Sequence, residues 1–151
     1  MRKVVVQSLP DKQYAVLASD GRHAFVLDES KEDGGDDLGP APHEAVLAAL
    51  GACTAITLRM YADRKQWPLY EVSVHLTHEK VRVEDCGECT DEDVRLANQD
   101  GRIDVIHTDI SVRGDLDQAQ VDRLLEIAQR CPVHRTLMGR PKIVSTITAG
   151  P

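Results

Sequence analysis

Residues 39–62 read GPAPHEAVLAALGACTAITLRMYA, and between Glu44 and Arg59 no side chain ionises except the Cys53 thiol. Ala and Leu dominate, both strong helix formers; Pro42 suits a first helical position, and Glu44 follows where a carboxylate meets the positive end of the helix dipole. The stretch therefore predicts a helix opening at Pro42. Its uncharged run from Ala45 to Leu58 is apolar on every side, and it is shorter than the roughly 18 to 20 residues a bilayer requires. The expectation is a buried core helix without membrane insertion. A helix wrapped all round needs a sheet on one face and something else on the other, and in a chain this short a second subunit is one source of that cover.

Working outward, Val4 to Ser8, Tyr14 to Ser19 and His23 to Asp28 are β-rich runs, the last two joined through Asp20-Gly21, a strong hairpin signal. They read as an antiparallel meander. Residues 29–42 are acidic and rich in Gly and Pro, a solvated loop whose Asp and Gly positions do not follow calcium-loop spacing. After the helix, Tyr70 to Val83 alternates as a strand, with His75 and His78 on opposite faces. Arg102 to Arg113 alternates too, but its apolar face changes partway, which suggests a bulge. Leu116, Val121, Leu124, Leu125 and Ala128 recur at helical spacing, placing an amphipathic helix over 117–130 that stops at Cys131-Pro132. Pro132 can open a further short helix, with Cys131 at or near its N-cap. Lys142 to Thr148 reads as a closing strand. The resulting class is α+β.

The 151 residues predict one domain over 1–151. A net charge of -7 repels phosphate backbones and anionic lipid, and five scattered aromatic residues form no base-stacking platform, so no nucleic-acid partner is expected. The N-terminus lacks the apolar length of a signal peptide, which points to the cytoplasm. There the four cysteines would stay reduced, and each needs its own reading.

Cys53 in an apolar helix reads first as a small core residue. Cys131 at a helix start, beside His134 and Arg135, sits where the dipole and nearby positive charge favour a thiolate. Cys86 and Cys89 form one CxxC, which is half of a zinc site, a redox dithiol or plain loop; His75 or His78 could complete a metal set.

Two segments, GPAPHEAVLAALGACTAITLRMYADRK and RCPVHRTL, resemble the cysteine motifs of the OsmC/Ohr superfamily. The meander and the strand between the motifs fit the same plan. The resemblance implies an OsmC-like fold, with antiparallel sheets around a long buried central helix in an intertwined homodimer. It also implies a thiol-dependent peroxidase acting on organic hydroperoxides and regenerated by an external dithiol. Carried over by motif, Cys53 resembles the attacking cysteine and Cys131 the resolving one, with no cofactor required. The family activates its thiolate with an Arg from the N-terminal sheet, held by a Glu at the start of the central helix. Arg22 is the candidate for the first role and Glu44 for the second. Glu44 lies one position later than in the family, where this chain has His43, and about 13.5 Å along the helix axis from Cys53, so it could act only through an Arg. The alternative is a non-enzymatic protein of the same fold that binds a small hydrophobic ligand, with zinc held at Cys86 and Cys89.

Overall fold

The computed structural model describes residues 1–150 and divides the chain into two compact units, Met1–Ala49 and Leu50–Pro151. In the first unit β1 (Val5–Ser8), β2 (Val16–Ser19) and β3 (Ala24–Leu27) form the expected antiparallel meander, in the order β1-β2-β3. Val5 faces Ser19 and Val16 faces Leu27 across the ladders. The β2–β3 turn is held by Asp20, whose Oδ1 accepts the backbone N–H groups of Arg22 (2.8 Å) and His23 (2.7 Å), while Gly21 takes the positive φ of 92° that such a turn requires.

The acidic loop after β3 is organised by a buried carboxylate. Asp28 accepts the N–H groups of Glu29, Asp36 and Leu38 at 2.9, 3.1 and 3.2 Å. Burial alone would raise its pKa, but those donors, with Lys12 nearby, outweigh burial and hold the carboxyl below its ordinary value. A depressed folded-state pKa contributes stability that is present above the ordinary value of 3.8 and disappears as pH falls through the folded value. Asp28→Asn should therefore flatten the acid limb of a plot of urea midpoint against pH, between about pH 5 and pH 2. Parallel wild-type and variant limbs would show that Asp28 carries none of this dependence.

The helix α1 (Pro42–Lys65) begins where Pro42 predicts and carries Glu44 in its first turn. By length and composition alone it could cross a membrane, yet Leu58, Tyr61 and Ala62 lie in the core of the second unit. There β4 (Leu69–Arg82) pairs antiparallel with β5 (Arg102–Gly114). The short helix α2 (Asp91–Val94) lies between them, and α3 (Gln118–Ala128) and α4 (Pro132–Met138) follow. Leu124, Ile127 and Ala128 of α3 join Leu58, Tyr61, Ala62 and Leu69 in one apolar cluster, with Val72, Ile110 and Val112 of the hairpin packed against it. The second half of α1 is thus held between a sheet and a helix. Gly51 permits its close approach to β4, since a Cβ there would come within 2.7 Å of Leu76 Cδ1. Arg59 fastens the same helix to the start of β4 through the carbonyls of Leu69 and Tyr70, the latter at 2.8 Å.

Three expectations change. The α1 helix is not buried all round: Ile56 and Met60 are 59% and 66% exposed in the single chain. The β4–β5 register is continuous from Glu71/Arg113 to Arg82/Arg102, and its one irregularity lies at Leu69/Glu71, so no bulge occurs midway. The apolar side changes because Ile106, Ile110 and Val112 share the face of Val72 and Val74, whereas Ile103 is buried on the opposite face near the hairpin's far end. Finally, Lys142 to Thr148 forms no strand, because no strand edge of this chain pairs with it.

Candidate active site

Cys131 occupies the N-cap of α4, as the Pro at the next position predicts. Its sulfur is fully buried and accepts two hydrogen bonds, from the backbone N–H of His134 at 3.2 Å and from the Thr54 hydroxyl at 3.7 Å. Thr54 follows Cys53 directly on α1, so Cys131 is held against the helical turn that carries the other thiol. Both thiols are free, and Cys53 is partly exposed, about 100° around the helix from Thr54. One cysteine is partly exposed, and the other is enclosed and held by two hydrogen bonds. Thr54 was not foreseen from sequence; a contact across 77 positions leaves no local signal, and a Thr inside an apolar helix is unremarkable by pattern.

A cavity of about 190 Å³ borders this junction, with Leu50 and Thr54 on α1, Ile106 and Ile110 on β5, and Leu125 and His134 from the helices beyond. Its walls mix these aliphatic side chains with the polar ends of Thr54, Thr108, Gln129 and His134. They suit a small alkyl group better than a charged one.

The other residues singled out by sequence lie elsewhere. Glu44 accepts the Ala41 N–H at 2.9 Å, which is the ordinary role of a first-turn carboxylate. Arg22 is exposed in the β2–β3 turn, and no ion pair joins it to Glu44. Cys86 and Cys89 are bonded to each other as a disulfide in the segment between β4 and β5. In that form they are not metal ligands, and reduced they would offer two of the four donors of a structural zinc site. Among the described residues no group of three or more His, Cys, Asp or Glu side chains is placed to hold a metal. His107 pairs with Glu79 at 3.2 Å and His78 with Asp104 at 2.7 Å, both across the hairpin.

The sequence matches the family described as OsmC-like protein over residues 34–146. No curated protein matches it. Among solved structures, the fold resembles an OsmC-like protein from Mycoplasma pneumoniae, with a TM-score of 0.67 and 18% identity over 93% of this chain and 89% of that one. An organic hydroperoxide resistance protein, OsmC, from Legionella pneumophila aligns with a TM-score of 0.63 and 18% identity over 92% and 90% of the two chains. The organic hydroperoxide resistance protein OhrB of Bacillus subtilis aligns over 93% and 92%, with a TM-score of 0.56 and 18% identity. At such identities the structural likeness speaks for the fold alone, but the family match covers both cysteine segments and most of the chain: this protein belongs to the OsmC-like family.

Proposed function

We propose that the protein is a thiol-dependent peroxidase for organic hydroperoxides, with Cys53 attacking and Cys131 resolving. The observation that carries this reading is the hydrogen bond from Thr54 to the Cys131 sulfur, which brings the second thiol to the turn of α1 bearing the first. Named relatives of the same fold are organic hydroperoxide resistance proteins.

The chemistry balances in three steps. The Cys53 thiolate attacks one oxygen of ROOH; the O–O bond breaks, the alkoxide leaves and takes a proton as ROH, and Cys53 becomes a sulfenic acid. The Cys131 thiol then displaces hydroxide from that sulfur, forming the Cys53–Cys131 disulfide and water. An external dithiol exchanges with the disulfide, returning both thiols and leaving oxidised itself. The aliphatic side chains among which Thr54 and Cys131 pack would favour an alkyl substituent on the peroxide, at about 0.8 kcal/mol for each CH₂ buried.

Arg22 is proposed as the cation that pairs with the reacting oxygen and Glu44 as the carboxylate that orients it. Neither is committed to an ion pair among the described residues, and Glu44 makes one backbone hydrogen bond. A homodimer is proposed on two surfaces that one chain leaves uncovered: the side of α1 bearing Ile56 and Met60, and the segment KIVSTIT at 142–148, whose Ile143 and Ile147 are 83% and 96% exposed. A second copy would cover the helix and offer this segment an edge to pair with.

The test is steady-state turnover with a dithiol, comparing an alkyl hydroperoxide with hydrogen peroxide. Turnover with kcat/KM at least about tenfold higher for the alkyl substrate is expected, the value of roughly two buried CH₂ groups. No consumption above the rate of the dithiol alone would overturn the proposal.

A further inference from the structure

Cys86 and Cys89 take no part in the reaction proposed above, yet they form the one disulfide among the described residues. They lie in the segment 83–101 between β4 and β5, beyond the last rung of the ladder at Arg82 and Arg102. That segment is closed at its base without the bridge. The Val83 N–H donates to the Gly101 carbonyl at 3.0 Å, and the Asn98 N–H to the Arg102 carbonyl at 2.8 Å. Asn98 Oδ1 accepts the N–H groups of Asp100 and Arg102. The bridge spans a sequence separation of 3, and so short a loop restrains the unfolded chain least. Stapling the fold is therefore a weak account of it.

The pair is open to approach. Both cysteines are partly exposed, and Gly87 between them has open space where a side chain would stand. It also stands apart from the other two thiols. Thr54 borders one cavity with Ile106 and Thr108, and four to six residues of β5, about 13 to 20 Å, separate those two from Arg102. Within one chain the two cysteine pairs do not meet.

Charge decides what reaches the bridge. The segment 83–101 holds seven carboxylates and one arginine, a net charge of -6, against -7 for the whole chain. Glu84 pairs with Arg82, and Arg140 lies near Asp93. Asp85, Glu88, Asp91 and Glu92 form no ion pair among the described residues. The attacking species in disulfide exchange is a thiolate, and this field repels one on an anionic molecule while drawing in one that carries a positive group.

We propose that Cys86 and Cys89 are a second redox centre, a disulfide that accepts two electrons from positively charged thiols. The incoming thiolate bonds to one of the two sulfurs, the S–S bond breaks, and the other cysteine leaves as a thiolate that takes a proton. A second thiolate then attacks the incoming sulfur of the mixed disulfide, and the remaining cysteine leaves and is protonated in turn. Two thiols are oxidised to a disulfide, and the pair is reduced to two thiols. The site is independent of the peroxide chemistry and stands even if Cys53 never reacts.

Trypsin cuts after Arg82 and Arg95, so both cysteines fall in one peptide, VEDCGECTDEDVR, that contains no other cysteine. Differential alkylation and mass spectrometry of that peptide follow the reduction of intact, oxidised wild type at low ionic strength by cysteamine and by 3-mercaptopropionate, at equal thiolate concentration. Each rate is divided by that of the same thiol with 2-hydroxyethyl disulfide, a neutral reference. The normalised rate for cysteamine should be higher by about tenfold or more, and the gap should close in high salt. Asp85→Asn with Glu88→Gln should narrow the gap by about threefold or more. Cys53→Ser should exchange as the wild type does. Equal normalised rates at low salt would overturn the proposal without reliance on any variant, and so would a wild-type pair that stays reduced in excess 2-hydroxyethyl disulfide. Loss of peroxidase turnover alone would leave these results untouched, so the two readings fail separately.

Discussion

Cys53→Ser should lower the rate of alkyl hydroperoxide reduction by about a thousandfold or more, since the covalent nucleophile is lost and a serine hydroxyl stays protonated at neutral pH. Thermal stability should change little, because Cys53 is partly exposed and serine differs from it by one atom. Cys131→Ser should behave differently. The first step needs only Cys53, so one equivalent of hydroperoxide should still be consumed, and the enzyme should then stall as a sulfenic acid that a trapping reagent captures. A rapid single turnover followed by arrest is the signature to seek in stopped-flow measurements. If Cys53→Ser retained wild-type turnover, the order of the two thiols would be wrong.

The largest expected loss of stability is at Leu58. It is fully buried, in the apolar cluster that joins α1 to α3 and the β4–β5 hairpin. Leu58→Ala removes buried methyl groups and leaves a cavity that this packing closes only in part, at a cost of about 2 to 5 kcal/mol. Against a total stability on the order of 5 to 15 kcal/mol, that is a large fraction. Urea denaturation should show a clearly lower midpoint with little change in slope. Leu125 on α3 is the control, being 60% exposed. Leu125→Ala should stay within about 0.5 kcal/mol of the wild type. Similar losses at the two positions would mean that the core does not lie between α1 and α3.

Much of this architecture was legible because it is written in local chemistry. Pro42 and Glu44 mark the start of α1, and Cys131-Pro132 ends one helix and opens the next. Each of these signals acts within a turn of the residue that carries it. The Asp20-Gly21 hairpin belongs to the same class.

What escaped depends on partners distant in the chain. The apolar run of α1 reads as burial on all sides, but one chain supplies cover only where β4, β5 and α3 reach it, so Ile56 and Met60 stay exposed. The Ile and Val residues of 142–148 have strand propensity, but within one chain the segment pairs with none of the strand edges, and propensity without pairing makes no strand. The polarity switch in β5 resembled a bulge because sequence shows which side is apolar and not what covers it. The Thr54–Cys131 contact had no sequence mark.

The pairing of Cys53 with Cys131 is the central claim, and it is tested most directly by peptide mass spectrometry on fully reduced protein before and after one equivalent of an alkyl hydroperoxide. The account predicts a Cys53–Cys131 disulfide within seconds, absent from Cys53→Ser. Two thiols that remain reduced, or coupling of Cys86 with Cys89 alone, would contradict it.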